Sequence, residues 1–275
     1  GARLTVVADG PVGAVGRQLD QQFSRTGEPP REEWAVGSKM VIELPEGVEL
    51  EAGTVIHTIG YPEPEIFGFL YVHPDRLVSA GIFVPSWFEN PVRTSYRYLQ
   101  HYIQHPYLWR WLKGGRMVSW GAKSIQEAGR RREPVLAGDG FARIGEGSGS
   151  TNVLTNSGVD EAWTTGVLLG EAVIELLEHG NEFTREALEE TYVRRRRESW
   201  VEQGAREAEN ARNGFTWGAL PGLIGMALAG LTGGRVRFPE REPARRRSFD
   251  EYYRVPAQEA ARLREACAAE RRPLH

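Results

Sequence analysis

The residues best suited to chemistry in this sequence follow a short apolar strand, Val135 to Ala137. They are Gly138, Asp139 and Gly140. Glycines allow a backbone to turn sharply and to pass close to a bulky ligand. A carboxylate at such a turn accepts hydrogen bonds from hydroxyl groups, so Asp139 is a candidate for binding a sugar-like polyol.

A predicted helix completes this pattern downstream. Apolar residues recur at helical spacing from Asp160 to Glu178, Gly180 ends the helix, and a run rich in glycine, serine and asparagine leads into it. Unpaired N–H groups and a partial positive charge at a helix N-terminus attract anions and electron-rich groups. Strand, glycine turn and helix together fit a flavin nucleotide. An ordinary connection with flexible glycines fits the same residues.

A second strand, turn and helix begin the sequence. Leu4 to Ala8 is predicted as a buried strand, Asp9-Gly10 as its turn, and Val12 to Phe23 as a helix. A G-x-G-x-x-G fingerprint, which cradles a pyrophosphate after the first strand of a dinucleotide-binding unit, does not precede them.

The stretch from Trp34 to Val84 predicts an antiparallel sheet. Its predicted strands are Ala35 to Leu44, Thr54 to Gly60, Gly68 to His73 and Leu77 to Val84, and a further strand is Met117 to Ser124. A helix from Pro91 to Leu112 is predicted to break at His105-Pro106. His101 and His105 have a spacing that suits two metal ligands, but no third ligand is near, so no metal site is predicted. His57, alone on its strand, is interpreted as a core histidine.

The last third of the chain is predicted to be helical and strongly charged. In Thr184 to Arg212 the basic run Arg194 to Arg197 is interpreted as a solvated helix face, and Arg130 to Arg132 as a solvated turn or a docking patch for an acidic electron carrier. A final helix is predicted from Ala257 to Glu270.

The segment from Phe215 to Leu231 is apolar and carries no charge. It is too short for the roughly 20 residues that cross a bilayer as a helix, so we predict a helix lying in the membrane interface. The predicted membrane contacts are Trp217, Leu220, Leu223, Ile224, Met226, Leu228 and Leu231, with a cationic rim at Arg235, Arg237, Arg241, Arg245, Arg246 and Arg247. A buried core helix with small residues for close packing is the alternative.

Composition narrows the class of protein. The chain has 275 residues, of which 40% are hydrophobic and 26% charged, with a net charge of -3, as in a globular protein with a core. Its one cysteine, Cys267, excludes a disulfide framework and a cysteine-ligated cluster formed by this chain alone. Hydrolase, kinase and CxxC patterns are absent, and acidic residues offset the arginines, which argues against nucleic-acid binding.

Several motifs together resemble one family. They are His57-Thr58-Ile59-Gly60-Tyr61-Pro62, Gly68-Phe69-Leu70-Tyr71, Asn90-Pro91, and Gly121-Ala122-Lys123 followed by Glu127 and Gly129. With the turn at Gly138, they resemble the electron-transfer flavoprotein:quinone oxidoreductase family and its FixC-type relatives, within the geranylgeranyl-reductase-like flavoproteins. Gly13 stands where the family has a serine, and the link Ala142 to Thr151 is longer than usual.

The resemblance implies an α+β fold. A partial FAD-binding, Rossmann-like domain would be interleaved with an antiparallel substrate-domain sheet and followed by a helical membrane-facing module. The implied domains are 1–33 and 134–182 for FAD, 34–133 for the substrate, and 183–275 for the membrane-facing and C-terminal segment. The chain would cover about the C-terminal two thirds of a family member, with the N-terminal FAD portion possible on another chain.

The resemblance also implies site residues, cofactors and partners. FAD would contact Asp9, Gly10, Gly138, Asp139, Gly140, Phe141, Asn156, Ser157 and Gly158, and a membrane quinone would contact Phe67, Gly68, Phe69 and Tyr71. Electrons would come from an electron-transfer flavoprotein, with a [4Fe-4S] cluster only on a separate ferredoxin-like partner. The implied location is peripheral, on the cytoplasmic face of a bacterial or archaeal membrane. The alternatives are a flavoprotein acting on another lipid and a non-catalytic membrane-bound subunit.

Overall fold

The structure is a computed structural model that describes residues 1–23, 33–88 and 94–239, with the isolated positions 258, 259, 261, 262, 265 and 266. The chain divides into two compact units, Gly1–Arg241 and Glu242–His275, and every element named below belongs to the first. The following predicted features lie outside the described residues: the Asn90-Pro91 motif, the rim arginines 241 and 245–247, Cys267 and most of the helix 257–270.

Strands predominate in the first part of the chain, up to β8, and helices follow. The strands are β1 (Thr5–Val7), β2 (Trp34–Glu43), β3 (Val55–Ile59), β4 (Phe67–Val72), β5 (Leu77–Pro85), β6 (Arg116–Gln126), β7 (Ala137–Gly138) and β8 (Phe141–Arg143). The α-helices are α1 (Ala14–Phe23), α2 (Ser95–Ile103), α3 (Pro106–Leu112), α4 (Val159–Glu178), α5 (Arg185–Leu188), α6 (Arg194–Glu198), α7 (Trp200–Ala208) and α8 (Ala219–Thr232).

The larger sheet has five antiparallel strands in the order β3-β4-β5-β2-β6, which confirms the predicted antiparallel sheet. Successive side chains on a strand point to opposite faces. On β4 this places Leu70 on a buried face that packs against Leu99 and Tyr102 of α2. The other face carries the half-buried Phe67, Phe69 and Tyr71. One face therefore forms the core, and the opposite face is left for a site.

The predicted break between the helices beside this sheet is confirmed. Helix α2 ends at Ile103 and α3 begins at Pro106, whose missing N–H is not needed in a first turn. His105 caps α3, since its Nδ1 accepts a hydrogen bond from the Tyr107 N–H at 3.3 Å. This histidine therefore has a structural role.

The smaller sheet has three strands in the order β1-β8-β7. Strand β8 runs parallel to β1 and antiparallel to β7. Leu169 and Leu176 of α4 cover it, with Ala142 buried beneath them. The predicted link from the Gly138-Asp139-Gly140 turn to the helix holds a further strand that was not predicted, because Gly140, at φ +71°, reverses the chain into β8.

The stretch from Thr184 to Arg212, predicted to be helical, is divided into short helices. A π-helical turn at Glu189–Val193 joins α5 to α6, and an extended Ser199, at φ -85° and ψ 165°, separates α6 from α7. The interpretation of Arg194 to Arg197 as a solvated face is wrong for Arg196, which is 2% exposed. Its side chain contacts residues distant in the sequence.

Helix α8 buries its small residues and exposes several of its large apolar residues. Its buried residues are Gly222, Gly225 and Ala229. Gly222 lies so close to Phe215, in the 3-10 turn before the helix, that a Cβ atom would come within 2.2 Å of the Phe215 ring. The larger Leu220 and Leu231 are 68% and 85% exposed. The close packing of small residues, which the core-helix alternative expects, is present on one side. Leu220, Ile224 and Leu231 point outward, whereas Leu223, Met226 and Leu228 are half-buried.

Candidate functional site

The parallel pairing of β1 and β8 brings two turns to one edge of the small sheet. Asp9 and Gly10 follow β1, and the segment Gly145–Gly149, here called the glycine loop, follows β8. A Cβ atom on Gly147 would lie 2.8 Å from the carbonyl oxygen of Gly10, so the two turns are in direct contact. Ligands of open α/β sheets bind at the carboxyl ends of parallel strands, which makes this edge the candidate cofactor site.

Asp9 shapes its own turn. Its Oδ2 accepts hydrogen bonds from the Val15 N–H at 2.9 Å and the Gly16 N–H at 3.1 Å, which caps the first turn of α1. A Cβ atom on Gly13 would overlap the Asp9 carboxylate at 1.9 Å. This contact explains why glycine stands at the position where the resemblance expects serine.

The predicted turn Gly138-Asp139-Gly140 lies at the start of β8, at the end opposite to the glycine loop. Asp139 Oδ1 accepts a hydrogen bond from the Arg185 N–H at 2.8 Å, and the Gly140 N–H donates to the Phe183 carbonyl at 2.9 Å. These contacts fix the start of α5. The structure therefore separates Gly138, Asp139, Gly140 and Phe141 from the edge that carries Asp9 and Gly10.

Glu146 of the glycine loop is a candidate that sequence reasoning missed. Its Oε1 accepts a hydrogen bond from the Gln126 N–H at 3.3 Å at the end of β6. Burial raises the pKa of Glu146, while the Gln126 hydrogen bond and the positive charge of Lys123 lower it in part. The signal available in the sequence was Gly145-Glu146-Gly147, a second glycine and carboxylate turn after the short apolar strand β8.

A cavity of about 230 Å³ lies on the outer face of the large sheet. Its lining residues come from β3, β4, β5 and the approach to α4: His57, Thr58, Ile59, Phe67, Gly68, Phe69, Tyr71, Phe83 and Asn156. The cavity brings the four predicted quinone contacts together with Asn156, a predicted FAD contact. Asn156 has a left-handed backbone with φ 53°, which asparagine tolerates better than most residues.

Aromatic rings form the sheet side of this cavity. The Phe69 ring stacks on Tyr71 with 4.5 Å between centroids and lies 5.9 Å from Phe83. Gly81 on the neighbouring strand makes room for Phe69, because a Cβ atom there would come within 2.3 Å of the ring. Gly68 contributes only backbone, since its Cβ direction points into Tyr102 on the core face.

His57 and Tyr71 form a polar pair within the aromatic lining. His57 Nε2 lies 3.3 Å from the Tyr71 hydroxyl. Burial raises the pKa of Tyr71 and keeps it a neutral phenol at physiological pH. His57 is exposed on its strand, so its interpretation as a core histidine is wrong.

Helix α4 connects the cavity to the glycine loop. Ser157 and Asn152 bridge their backbones before the helix, and the Ser157 hydroxyl donates to Glu161 at 2.6 Å. Gly158 caps the helix without a side-chain hydrogen bond. About two turns further on, Thr165 Oγ1 accepts a hydrogen bond from the Gly145 N–H at 2.9 Å. A single helix thus contacts the glycine loop and begins beside Asn156 in the cavity wall.

The turn at Arg130 to Arg132 lies in an ion-pair network. Arg130 pairs with Glu202 at 2.9 Å, and Arg132 pairs with Glu33 at 3.2 Å. The acidic partners neutralise the charges of these arginines, so the interpretation as a solvated turn is wrong. The paired charges also weaken the interpretation of this turn as a docking patch for an acidic electron carrier. Among the described residues, no group of three or more His, Cys, Asp or Glu side chains is placed to hold a metal ion.

Comparison with known proteins finds a family model that matches the region containing the large sheet. Residues 34–125 match the family model described as ETF-QO, ubiquinone-binding. The matched range holds every cavity-lining residue except Asn156.

Two curated relatives carry the same family name. The chain is 30% identical over 231 residues to the mitochondrial electron transfer flavoprotein-ubiquinone oxidoreductase of Oryza sativa subsp. japonica, covering 82% of this chain and 39% of that protein. It is 29% identical over 203 residues to the electron transfer flavoprotein-ubiquinone oxidoreductase of Pseudomonas aeruginosa, covering 73% of this chain and 36% of that protein. The chain thus spans less than two fifths of their length, where two thirds was expected.

A solved structure shares the fold. A geranylgeranyl bacteriochlorophyll reductase-like protein from Thermoplasma acidophilum superposes with a TM-score of 0.64 at 14% identity, covering 98% of this chain and 62% of that one. At this identity the likeness shows the fold alone, a mixed α+β arrangement with an antiparallel sheet. Together, the matched region and the relatives support the assignment of this chain to the electron transfer flavoprotein-ubiquinone oxidoreductase family.

Proposed function

We propose that this chain forms the quinone-binding region and part of the flavin site of an enzyme that transfers electrons from a reduced electron-transfer flavoprotein to a membrane quinone. The observation that carries the proposal is the cavity of about 230 Å³, where Phe67, Phe69 and Tyr71 face Asn156 at the approach to α4. A flat quinone ring can pack against these aromatic side chains, and the nearby helix N-terminus attracts electron-rich groups.

The residues at the sheet edge fit FAD. Glu146 offers carboxylate oxygens to hydroxyl groups, Lys123 offers a positive charge beside it, and the N-terminus of α4 offers backbone N–H groups without a side-chain cap. Asp9, Gly10, Ser157 and Gly158 shape these turns. When bound, FAD supplies the redox chemistry of such a protein.

The polar pair in the cavity suits quinone reduction. Two-electron reduction of a quinone to a quinol requires a proton on each carbonyl oxygen. The Tyr71 hydroxyl donates a hydrogen bond to one carbonyl oxygen, and the exposed imidazole of His57, 3.3 Å away, links that hydroxyl to solvent. The protein thus orients the quinone and supplies a proton route.

Strand β1 lies at the side of the small sheet, and the side of it that is unpaired among the described residues indicates where a further part of the FAD domain docks. Strand β1 pairs with β8 only, within the described ranges, and Val6 on it is exposed. Parallel sheets are normally buried on both faces. We infer that a strand from a dinucleotide-binding segment with the G-x-G-x-x-G fingerprint pairs with β1, on this or another chain. The proposed electron path includes a [4Fe-4S] cluster on a ferredoxin-like partner.

Quinone binding is tested without FAD by calorimetric titration of the chain with a water-soluble short-chain ubiquinone. We expect Phe69→Ala to weaken binding by about tenfold or more, or about 1.4 kcal/mol, because it removes the stacked ring. Val55→Ala, on an exposed position of β3 outside the lining, is the control. Equal affinity in both variants would contradict the proposal, and preference for a prenyl diphosphate would favour another lipid substrate. FAD is added separately and followed by its visible absorption.

Helix α8 is proposed to lie in the membrane interface, with the protein attached peripherally at the cytoplasmic face of a bacterial or archaeal membrane. No described helix combines the length and apolar character needed to cross a bilayer. The small residues of α8 pack inward, and Leu220, Ile224 and Leu231 are exposed, as expected for a helix that buries its large apolar side chains in lipid. Trp217 anchors one end, with its indole N–H donating to the Pro239 carbonyl at 3.2 Å.

Membrane attachment is expected to depend on the exposed leucines of α8. Burying each leucine contributes about 1.5–3 kcal/mol, so the double substitution Leu220→Ser and Leu231→Ser should weaken binding to phosphatidylcholine–phosphatidylglycerol vesicles more than about tenfold. Vesicle co-sedimentation measures this. The control replaces Val159 and Trp163 of α4, which are 80% and 76% exposed, with serine. If both pairs reduce binding equally, α8 has no specific role.

A further inference from the structure

Two buried side chains of one helical segment, Tyr192 and Arg196, form hydrogen bonds to the glycine loop and to the strand before it. The Tyr192 hydroxyl donates a hydrogen bond to the Arg143 carbonyl at 2.6 Å. Arg196 Nη1 donates to Ser148 Oγ at 2.6 Å, and Nη2 donates to the Ser148 carbonyl at 2.8 Å. Tyr192, Arg196 and Ser148 are all buried. We call Tyr192 and Arg196 the brace.

The brace contacts the loop at both of its ends. Arg143 is the last residue of β8, two residues before the loop begins at Gly145, and Ser148 lies near the end of the loop. Ser148 also restrains the start of the loop, because its hydroxyl donates a hydrogen bond to the Gly145 carbonyl at 2.6 Å. Glycines such as Gly145 and Gly149, at φ +68° and +73°, have little conformational preference of their own. The conformation of the loop therefore depends on these hydrogen bonds.

The π-helical turn explains how one segment supplies both side chains. Leu188, Tyr192 and Arg196 are four residues apart, and each is buried. Residues at that spacing drift around an α-helix with 3.6 residues per turn. The wider i→i+5 turn at Glu189–Val193 offsets the drift, so the three side chains face the same side. Turns of this kind occur frequently at functional sites.

The burial of Arg196 indicates a role beyond charge pairing. A buried guanidinium is costly unless its donors are satisfied, and replacing such groups with apolar side chains is often neutral or stabilising. Arg196 shares its carboxylate partner, Glu133, with Arg197 and directs its other hydrogen bonds to Ser148. The two terminal nitrogens of Arg196 thus donate to two oxygens of Ser148, a forked arrangement that the single ammonium group of lysine cannot reproduce.

We propose that Tyr192 and Arg196 are positioning residues, which hold the glycine loop in the conformation that presents the Glu146 carboxylate to FAD. This inference rests on the proposed function for its ligand. It does not depend on FAD for the brace itself, because the restraint on the loop is a property of the free chain. The two parts are therefore measured separately.

The first measurement is amide hydrogen exchange of residues 145–149 in the free chain. Arg196→Lys keeps the charge and loses the fork, and Tyr192→Phe removes one hydrogen bond, so both should raise loop exchange by about tenfold or more, the factor equivalent to about 1.4 kcal/mol. Arg197→Lys is the matched control, because Arg197 shares Glu133 and has no hydrogen bond to the loop. The amides of β4 report global stability. Equal loop exchange in the Arg196 and Arg197 variants overturns the brace.

The second measurement is the FAD affinity of the same variants, with the melting temperature recorded for each. A positioning role predicts weaker FAD binding in Arg196→Lys and Tyr192→Phe than in Arg197→Lys at matched stability. Faster loop exchange with unchanged FAD affinity overturns the positioning role. A parent chain that binds no FAD, even with a dinucleotide-binding segment supplied, contradicts the proposed flavin site, while the exchange measurement still decides whether the brace exists.

Discussion

Replacing Gly81 with alanine is expected to close the cavity while leaving the sheet folded. The new Cβ atom would lie 2.3 Å from the Phe69 ring and 3.0 Å from the Cβ of Lys39. The ring is the free end of a side chain, so it can turn away from Gly81 into the cavity that it now lines. We expect the affinity for a short-chain ubiquinone to fall by about tenfold or more, about 1.4 kcal/mol, by calorimetric titration.

The matched control for this substitution is Gly121→Ala. Lys39 of β2 pairs with Gly81 on one side and with Gly121 on the other, so both glycines lie in the same row of the sheet. A Cβ atom on Gly121 meets nothing within 4 Å. Gly121→Ala should therefore keep the parent affinity. If Gly81→Ala also keeps it while remaining folded, the cavity is not where the quinone binds.

Replacing Gly147 with alanine is expected to damage the cofactor edge. Its Cβ atom would lie 2.8 Å from the carbonyl oxygen of Gly10, and a backbone oxygen cannot turn aside as a ring can. The turns after β1 and β8 must separate, at a cost of about 1–3 kcal/mol in the free energy of unfolding. FAD affinity should fall by about tenfold or more, measured by flavin fluorescence titration.

Gly170→Ala in α4 is the control for this prediction. Gly170 is an exposed position inside the helix, and a Cβ atom there meets nothing within 4 Å. Alanine is the better helix former, so this variant should be more stable by about 0.5–1 kcal/mol and bind FAD like the parent. Parent-like FAD affinity in Gly147→Ala would show that the contact between the turns does not shape the flavin site.

Local patterns in the sequence predicted the large sheet and the sheet side of the cavity. Side chains two residues apart on a strand share a face, so Phe67, Phe69 and Tyr71 had to lie together once β4 was recognised. The helix break at His105-Pro106 followed from the restricted backbone of proline. These features depend on neighbours in the sequence, which a single sequence displays directly.

Features that depend on distant partners could not be predicted in this way. Strand β8 has three residues, too few to show a period, so the sequence gives no sign that a strand lies between the Gly138-Asp139-Gly140 turn and the helix. Arg196 sits in a run of arginines that is typical of a solvated helix. Its burial depends on Ser148 and Glu133, which lie far away in the sequence.

The path of α4 has a consequence for how this protein can diversify. The helix begins beside Asn156 in the cavity wall and holds Gly145 through Thr165, so an insertion or deletion between them would rotate one site relative to the other. Changes on β3 and β4 carry no such coupling, because alternate side chains there line the cavity while their neighbours form the core. Evolution can therefore alter substrate preference through side chains of the sheet, and it must conserve the length of the helix.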